Sequence, residues 1–278
     1  MGRRKIAKYV FDDQFDVRSR VERILRILEC DTVIKALDSI LKNAQDTKLS
    51  YLDFMESLFE LEMQKREDDR IERWKKQARF PWVKGLDKYD FTYPEFINKT
   101  EVLRLADCSW IDHGGNVIFF GPPGVGKTHL SIAIGLEAIS RGCETRFITI
   151  DRLTEMISVA MGKDKEDGGG DNRKKLLSSF SNVKLLILDE LAYSKNGQEV
   201  ADFLFQLLCR RHEQRTSTIL TSNEGFESWN KFFAGNDTRT MAIIDRILEN
   251  CTVINIQGES FRLGNMRLSL SKSKSKIF

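Results

Sequence analysis

Residues 117–128 read Val-Ile-Phe-Phe-Gly-Pro-Pro-Gly-Val-Gly-Lys-Thr: a short apolar run, then a match to G-x-x-x-x-G-K-[ST]. The order of these parts is what phosphate binding needs. A strand delivers the chain to Gly121, the glycines let the backbone curl so that successive N–H groups face one point, and a helix opens at Lys127–Thr128 with the positive end of its dipole on that point. The candidate nucleotide-binding residues are therefore Gly121, Pro122, Pro123, Gly124, Val125, Gly126, Lys127 and Thr128, with His129 beside them on the first helical turn. In such a loop the lysine reaches the β- and γ-phosphates and the hydroxyl ligates Mg²⁺, so ATP and Mg²⁺ are the expected cofactors. His129 reads as a packing residue rather than a catalytic one. A Gly/Pro turn with an incidental lysine is the bland alternative, and it accounts for neither the strand before nor the helix after.

On both sides of this loop, β-rich runs alternate with helical stretches: Val117–Phe120, Thr128–Ser140, Thr145–Ile150, Leu153–Ala160, Val183–Leu188, Val200–His212, Thr218–Thr221, Met241–Glu249 and Thr252–Ile256. Alternation of this kind predicts an α/β fold, a mostly parallel sheet flanked by helices on both faces. The segment Met161–Asn172, with Gly162, Gly168, Gly169 and Gly170 among charged residues, reads as a flexible loop. The run Leu185-Leu-Ile-Leu-Asp189-Glu190 is a continuous apolar strand ending in two acids. Asp189 at its tip is the second candidate Mg²⁺ ligand, and Glu190 is the candidate base for an attacking water. Strand alternation would send the two side chains to opposite faces and so to separate tasks. In Ser217-Thr-Ile-Leu-Thr-Ser-Asn223 a β-branched strand ends in small polar residues, and Asn223 is placed to orient water near a γ-phosphate; ordinary turn chemistry would use the same residues. Nucleoside triphosphate hydrolysis is the activity these three elements point to. A guanine-specific GTPase is disfavoured by the lack of Asn-Lys-x-Asp after the loop, and a two-lobed helicase by the short chain after Asn223.

The 278 residues are 41% hydrophobic and 31% charged, the balance of a globular protein with a sizeable core. No apolar run approaches the roughly 20 residues that span a bilayer, and the basic N-terminus leads into Asp12 and Asp13 rather than an apolar stretch, so no membrane partner or secretory signal is expected. The five cysteines, Cys30, Cys108, Cys143, Cys209 and Cys251, form no C-x-x-C pair and read as reduced, mostly buried thiols of a cytoplasmic protein. The net charge of +3 is nearly balanced, but Arg3, Arg4, Lys5 and Lys8 at one end and Arg267, Lys272, Lys274 and Lys276 at the other make two basic arms. Arg210, Arg211 and Arg215 cluster before the Thr218 strand, either to reach a neighbour's nucleotide or a DNA phosphate, or as an exposed helix end that suits cations.

Apolar positions repeat at helical spacing over residues 17–42, and a further helix starts at Ser50 with Asp53 three residues on. The expected organisation is a small all-helical N-terminal domain over 1–80, an aromatic-rich linker over 81–100 whose rings pack across the next domain, the nucleotide-binding domain over 101–265 and a basic tail over 266–278.

With these residues in view the chain resembles the IstB-like ATP-binding proteins, AAA+ helpers of insertion-sequence transposition. The resemblance is carried by Tyr51-Leu-Asp-Phe-Met-Glu-Ser-Leu, Gln77-Ala-Arg-Phe-Pro, the loop and helix from Phe119 to Gly135, Leu186-Ile-Leu-Asp-Glu-Leu, Ser217 to Asn223, Ile244-Asp-Arg-Ile-Leu and Gly258-Glu-Ser-Phe-Arg-Leu, and it covers roughly residues 50–265. It implies an AAA+ P-loop sheet order with little or no helical lid. It implies that Arg246 is an arginine finger completing a neighbouring subunit's site and that Arg262 is a sensor-2-like contact. It implies ATP-dependent assembly of a homo-oligomer, ring or helical, on duplex DNA in the service of a cognate transposase. DnaC-type replicative helicase loaders share most of these motifs and are the alternative. The chain departs from the family at Ala192-Tyr193, where Gly-Tyr is usual, and in residues 1–48 and the Lys/Ser tail from 271, which extend beyond the familiar core.

Overall fold

The computed structural model describes residues 16–167, 170–191, 198–233, 235–261 and 263. Both basic arms, Ala192-Tyr193 and Arg262 lie outside the described residues. The chain divides into two units, residues 1–72 and 73–278.

The described part of the first unit is helical. Helix α1 (Val17–Ile27) starts where the Asp16 carboxylate accepts the Ser19 N–H at 3.0 Å, and α2 (Asp31–Thr47) buries Val33 and Leu37. Helix α3 (Tyr51–Ala78) begins as its sequence predicts. Ser50 Oγ accepts the Asp53 N–H at 3.2 Å while the Asp53 carboxylate accepts the Ser50 N–H at 3.3 Å, so two otherwise orphaned donors are satisfied reciprocally. Arg66 on α3 ties back to the end of α1 by donating to the Leu28 carbonyl at 2.9 Å. The boundary between the units falls inside α3.

The second unit is built on five parallel strands in the order β2-β3-β4-β1-β5: β1 (Asn116–Phe120), β2 (Thr145–Thr149), β3 (Leu185–Leu191), β4 (Ser217–Ser222) and β5 (Cys251–Asn255). This is the expected α/β class. Helices α4 (Lys99–Leu105), α5 (Lys127–Ser140), α6 (Ile150–Asp167), α7 (Asp171–Ser181), α8 (Gln198–Glu213) and α9 (Asp237–Leu248) follow one another around it. Alternate residues of the strands feed two cores. Ile118, Leu186, Leu188 and Leu220 pack with α6, α7, α8 and α9, and Val117, Phe119, Leu185, Ile187 and Ile219 pack with α4 and α5. Burial on both faces is why the strands read as unbroken apolar runs. The loop 121–126 and Asn223 follow the C-terminal ends of β1 and β4, and Asp189 and Glu190 lie at the C-terminal end of β3, the edge where such sheets bind ligands. Of the five thiols, only Cys108 is fully buried; the other four are partly exposed, and all are free.

Two expectations need correction. Among the described residues, Met161–Asn172 is mostly helical rather than loop: α6 runs to Asp167 and α7 starts at Asp171. The Asp164 carboxylate accepts the N–H groups of Asn172 at 2.8 Å and Arg173 at 3.0 Å, capping α7 from α6. The charged residues before it are competent helix formers on a solvated face.

The second correction concerns Arg211, which is neither at an exposed helix end nor free to reach a phosphate. It is 1% exposed. Its Nε donates to Thr218 Oγ1 at 3.0 Å, its Nη1 to the carbonyls of Phe180 at 2.7 Å and Val183 at 3.1 Å, and its Nη2 to the Ser217 carbonyl. Burial pushes its pKa down to about 9, which leaves it charged at neutral pH. The guanidinium thus pins the starts of β3 and β4 together from α8. Arg211→Met should lower stability by at least about 3 kcal/mol in urea unfolding, because several buried carbonyls lose their donors at once. Arg211→Lys should fall between, since one ammonium cannot span both strand starts. A loss below 0.5 kcal/mol (order of magnitude of a surface change) for Met would contradict this role.

Candidate nucleotide-binding site

The loop 121–126 is shaped by what surrounds it as well as by its glycines. Gly126 sits at φ +98°, and a Cβ there would lie 2.5 Å from the ring of Tyr89. Gly124 sits at φ +84°, and a Cβ there would lie 2.1 Å from Ser260 Oγ. The neighbours responsible come from two distant segments. Tyr89 donates its hydroxyl to the Val125 carbonyl at 3.0 Å, and Tyr93 donates to the Ser260 carbonyl at 3.0 Å. The Phe261 N–H closes the circle on the Gly124 carbonyl at 3.1 Å. Burial raises the Tyr89 hydroxyl to about 12, so it remains a donor at any physiological pH. Aromatics of the linker and of the residue before it do pack across this unit, Tyr93 edge-on to Phe261 and Phe80 edge-on to Phe147.

Lys127 is 8% exposed, and its ammonium is held by the carbonyls of Gly121 at 2.6 Å and Pro122 at 2.9 Å and by the Asn223 side-chain oxygen. The candidate sensor and the loop lysine, 96 residues apart in sequence, are therefore in direct contact. His129 packs on the Tyr89 ring edge-to-face, and its Nε2 lies 3.1 Å from the Gly85 carbonyl, as fits a packing residue.

The two candidate metal ligands also meet. Thr128 Oγ1 lies 2.9 and 3.0 Å from the two carboxylate oxygens of Asp189. Asp189 is buried; burial raises its pKa, opposed by hydrogen bonds from Thr221 and Thr128 and by the charge of Lys127. A hydroxyl and a buried carboxylate are hard oxygen donors, which suit Mg²⁺ and its octahedral shell.

Asp189 and Glu190 do part company, but not by simple alternation. Leu188 pairs with Leu220 and Leu191 with Ser222, so the register slips between them. Glu190 takes φ +61°, the left-handed region, and its side chain is exposed beside the loop while Asp189 stays inside. Such a backbone costs a non-glycine residue about 1–2 kcal/mol and has to be held.

A cavity of about 460 Å³ joins these groups. It is lined by Pro123 to His129, Glu190, Thr221 and Asn223, by Trp82, Lys84, Lys88, Tyr89, Asp90, Tyr93 and Pro94 of the linker, and by Phe261. Gly121, Pro122 and Asp189 stand behind this lining, in contact with Lys127 or Thr128. Arg246 is not part of it. Arg246 lies on α9, with Nη1 donating to the Ala242 carbonyl at 2.7 Å one turn earlier. Arg262 falls outside the described residues. The groups that motif reading did not single out are Tyr89, Tyr93, Ser260 and Thr221. A tyrosine spaced four residues from another in the linker was the available signal for the first two.

Residues 24–269 match the family described as IstB-like ATP binding protein. The chain is similar to the insertion sequence IS21 ATP-binding protein of Pseudomonas aeruginosa, 37% identical over 259 residues, with 92% of this chain and 94% of that protein covered. It is similar to the insertion sequence IS5376 ATP-binding protein of Geobacillus stearothermophilus, 34% identical over 260 residues, with 94% and 100% covered. Among solved structures it is similar to the DnaC helicase loader, with a TM-score of 0.50, 23% identity, and 65% of this chain and 100% of that one covered. That likeness extends to the fold alone, a parallel sheet flanked by helices.

Proposed function

The chain belongs to the IstB-like ATP-binding proteins, and from that premise we propose that it is an ATPase that assembles on duplex DNA and helps the transposase of an insertion sequence capture its target. The observation that supports hydrolysis, beyond binding, is the convergence of Lys127, Thr128, Asp189, Glu190 and Asn223 on one cavity at the ends of β1, β3 and β4.

In this reading the loop N–H groups and Lys127 hold the β- and γ-phosphates of ATP. Thr128 and Asp189 are the residues that would hold Mg²⁺, which would supply charge neutralisation at the phosphates. Glu190, exposed to the cavity, takes the proton of the water that attacks the γ-phosphorus, and the Asn223 amide orients that water. Arg246 acts on the next subunit's nucleotide, and Arg262 contacts the phosphates of its own. ATP-bound subunits assemble on DNA, and hydrolysis releases or remodels the assembly.

Binding to random-sequence duplex should strengthen with ATP and weaken steeply with salt, with each phosphate contact adding about 0.9 to the slope of log affinity against log salt. Polarisation titrations at two salt concentrations, with and without ATP, read both effects. Duplex binding that is indifferent to ATP at low salt would remove DNA assembly from the proposal and favour a protein-only role such as that of a helicase loader.

A further inference from the structure

The irregularity in β3 gives one side chain an unusual position. Because Leu188 pairs with Leu220 and Leu191 with Ser222, two residues of β3, Asp189 and Glu190, stand opposite a single residue of β4, Thr221. That residue is fully buried. Its hydroxyl donates to Asp189 Oδ1 at 2.6 Å and accepts the backbone N–H of Glu190 at 2.9 Å. One oxygen thereby uses its proton on the first acid's side chain and a lone pair on the second acid's main chain. The main-chain bond is made at the residue with φ +61°, where the strand would otherwise return to an extended path and carry the carboxylate with it.

We propose that Thr221 is the positioning residue of the hydrolytic centre: its hydroxyl holds Glu190 in the left-handed bulge that aims its carboxylate into the cavity, and in the same act orients Asp189 toward Thr128. The inference rests on the reading of Glu190 as the base. Thr221 acts through Glu190 and Asp189, while the phosphate grip of Lys127 and the loop is made by other residues. Its removal should therefore lower kcat and leave nucleotide affinity nearly intact.

The test compares Thr221→Val, which keeps the shape and loses the hydroxyl, with Thr221→Ser, which keeps the hydroxyl. Thr221→Ala is the fallback if the valine variant does not melt cooperatively. In steady-state ATP hydrolysis, with affinity measured separately by a fluorescent ATP analogue, Thr221→Val is expected to lose kcat by about 100-fold or more with affinity changed less than about threefold. Thr221→Ser should recover turnover to within about tenfold of the native chain. In a Glu190→Gln background, Thr221→Val should cost clearly less than in the native chain, because one of the two carboxylates it positions is already gone. A folded hydroxyl-free variant with native kcat overturns the proposal, as does a serine variant as slow as the valine one. Full turnover in Glu190→Gln alone would instead sink the base assignment, so the two failures are told apart.

Discussion

Arg246→Ala is expected to hydrolyse ATP at no more than about a thousandth of the native rate while binding nucleotide normally. A guanidinium delivered to a γ-phosphate neutralises charge that develops during transfer, and such fingers contribute roughly 10³–10⁵ in turnover. The side chain lies on α9, outside the lining of its own chain's cavity, so any action on the phosphates is on those of a neighbour. If Arg246 instead only decorates α9, its bond to the Ala242 carbonyl of the preceding turn is a local one, and the alanine variant would hydrolyse ATP almost normally. Mixing separates the two. Arg246→Ala and Glu190→Gln subunits are each inactive alone, yet in a head-to-tail assembly about a quarter of randomly mixed interfaces join an intact Glu190 pocket to an intact Arg246. Turnover should partly return on mixing. A mixture that co-assembles and stays as inactive as its components removes Arg246 from the mechanism in trans.

The second large effect divides binding from chemistry. Lys127→Ala should abolish useful ATP binding, since it removes a buried cation already held at the loop by Gly121, Pro122 and Asn223. Glu190→Gln should bind ATP as the native chain does and hydrolyse it about 10²–10⁴-fold more slowly, because an amide cannot take up the proton of the attacking water. Nucleotide affinity and single-turnover rates on both variants read the split. Normal turnover in Glu190→Gln would show that another group accepts the proton.

How much of this was legible in the amino-acid order depends on the distance over which each feature is decided. The loop at 121–128 and the apolar run of β3 up to Asp189 are each contiguous in sequence, so motif and period sufficed. The start of α3 was legible for the same reason, Ser50 and Asp53 being three residues apart. The role of Thr221 was not, because it arises from a slip in register between two strands, and nothing in Thr-Ser-Asn announces which of its residues faces a bulge. Tyr89 and Tyr93 were visible as linker aromatics, but the bonds of Tyr89 to Val125 and of Tyr93 to Ser260 appear only once the linker folds back over the site. The helical ends within Met161–Asn172 were not legible because the Asp164 carboxylate that caps α7 has its partners eight and nine residues away, beyond the reach of a local pattern. Arg211 was misread because an Arg-Arg-His helix end looks solvated until carbonyls from residues 180–183 arrive beside it.

That last arrangement bears on the order in which the protein comes together. The carbonyls around the Arg211 guanidinium belong to the segment before β3 and to the start of β4, while the arginine itself rides on the helix between them. A cation with only half of those partners is better off in water than in an unfinished interior. The base of the sheet therefore cannot assemble bond by bond around it. Both strand starts have to be in place before the side chain leaves solvent, so the approach to β3 and the start of β4 are expected to close together on folding and to open together on unfolding.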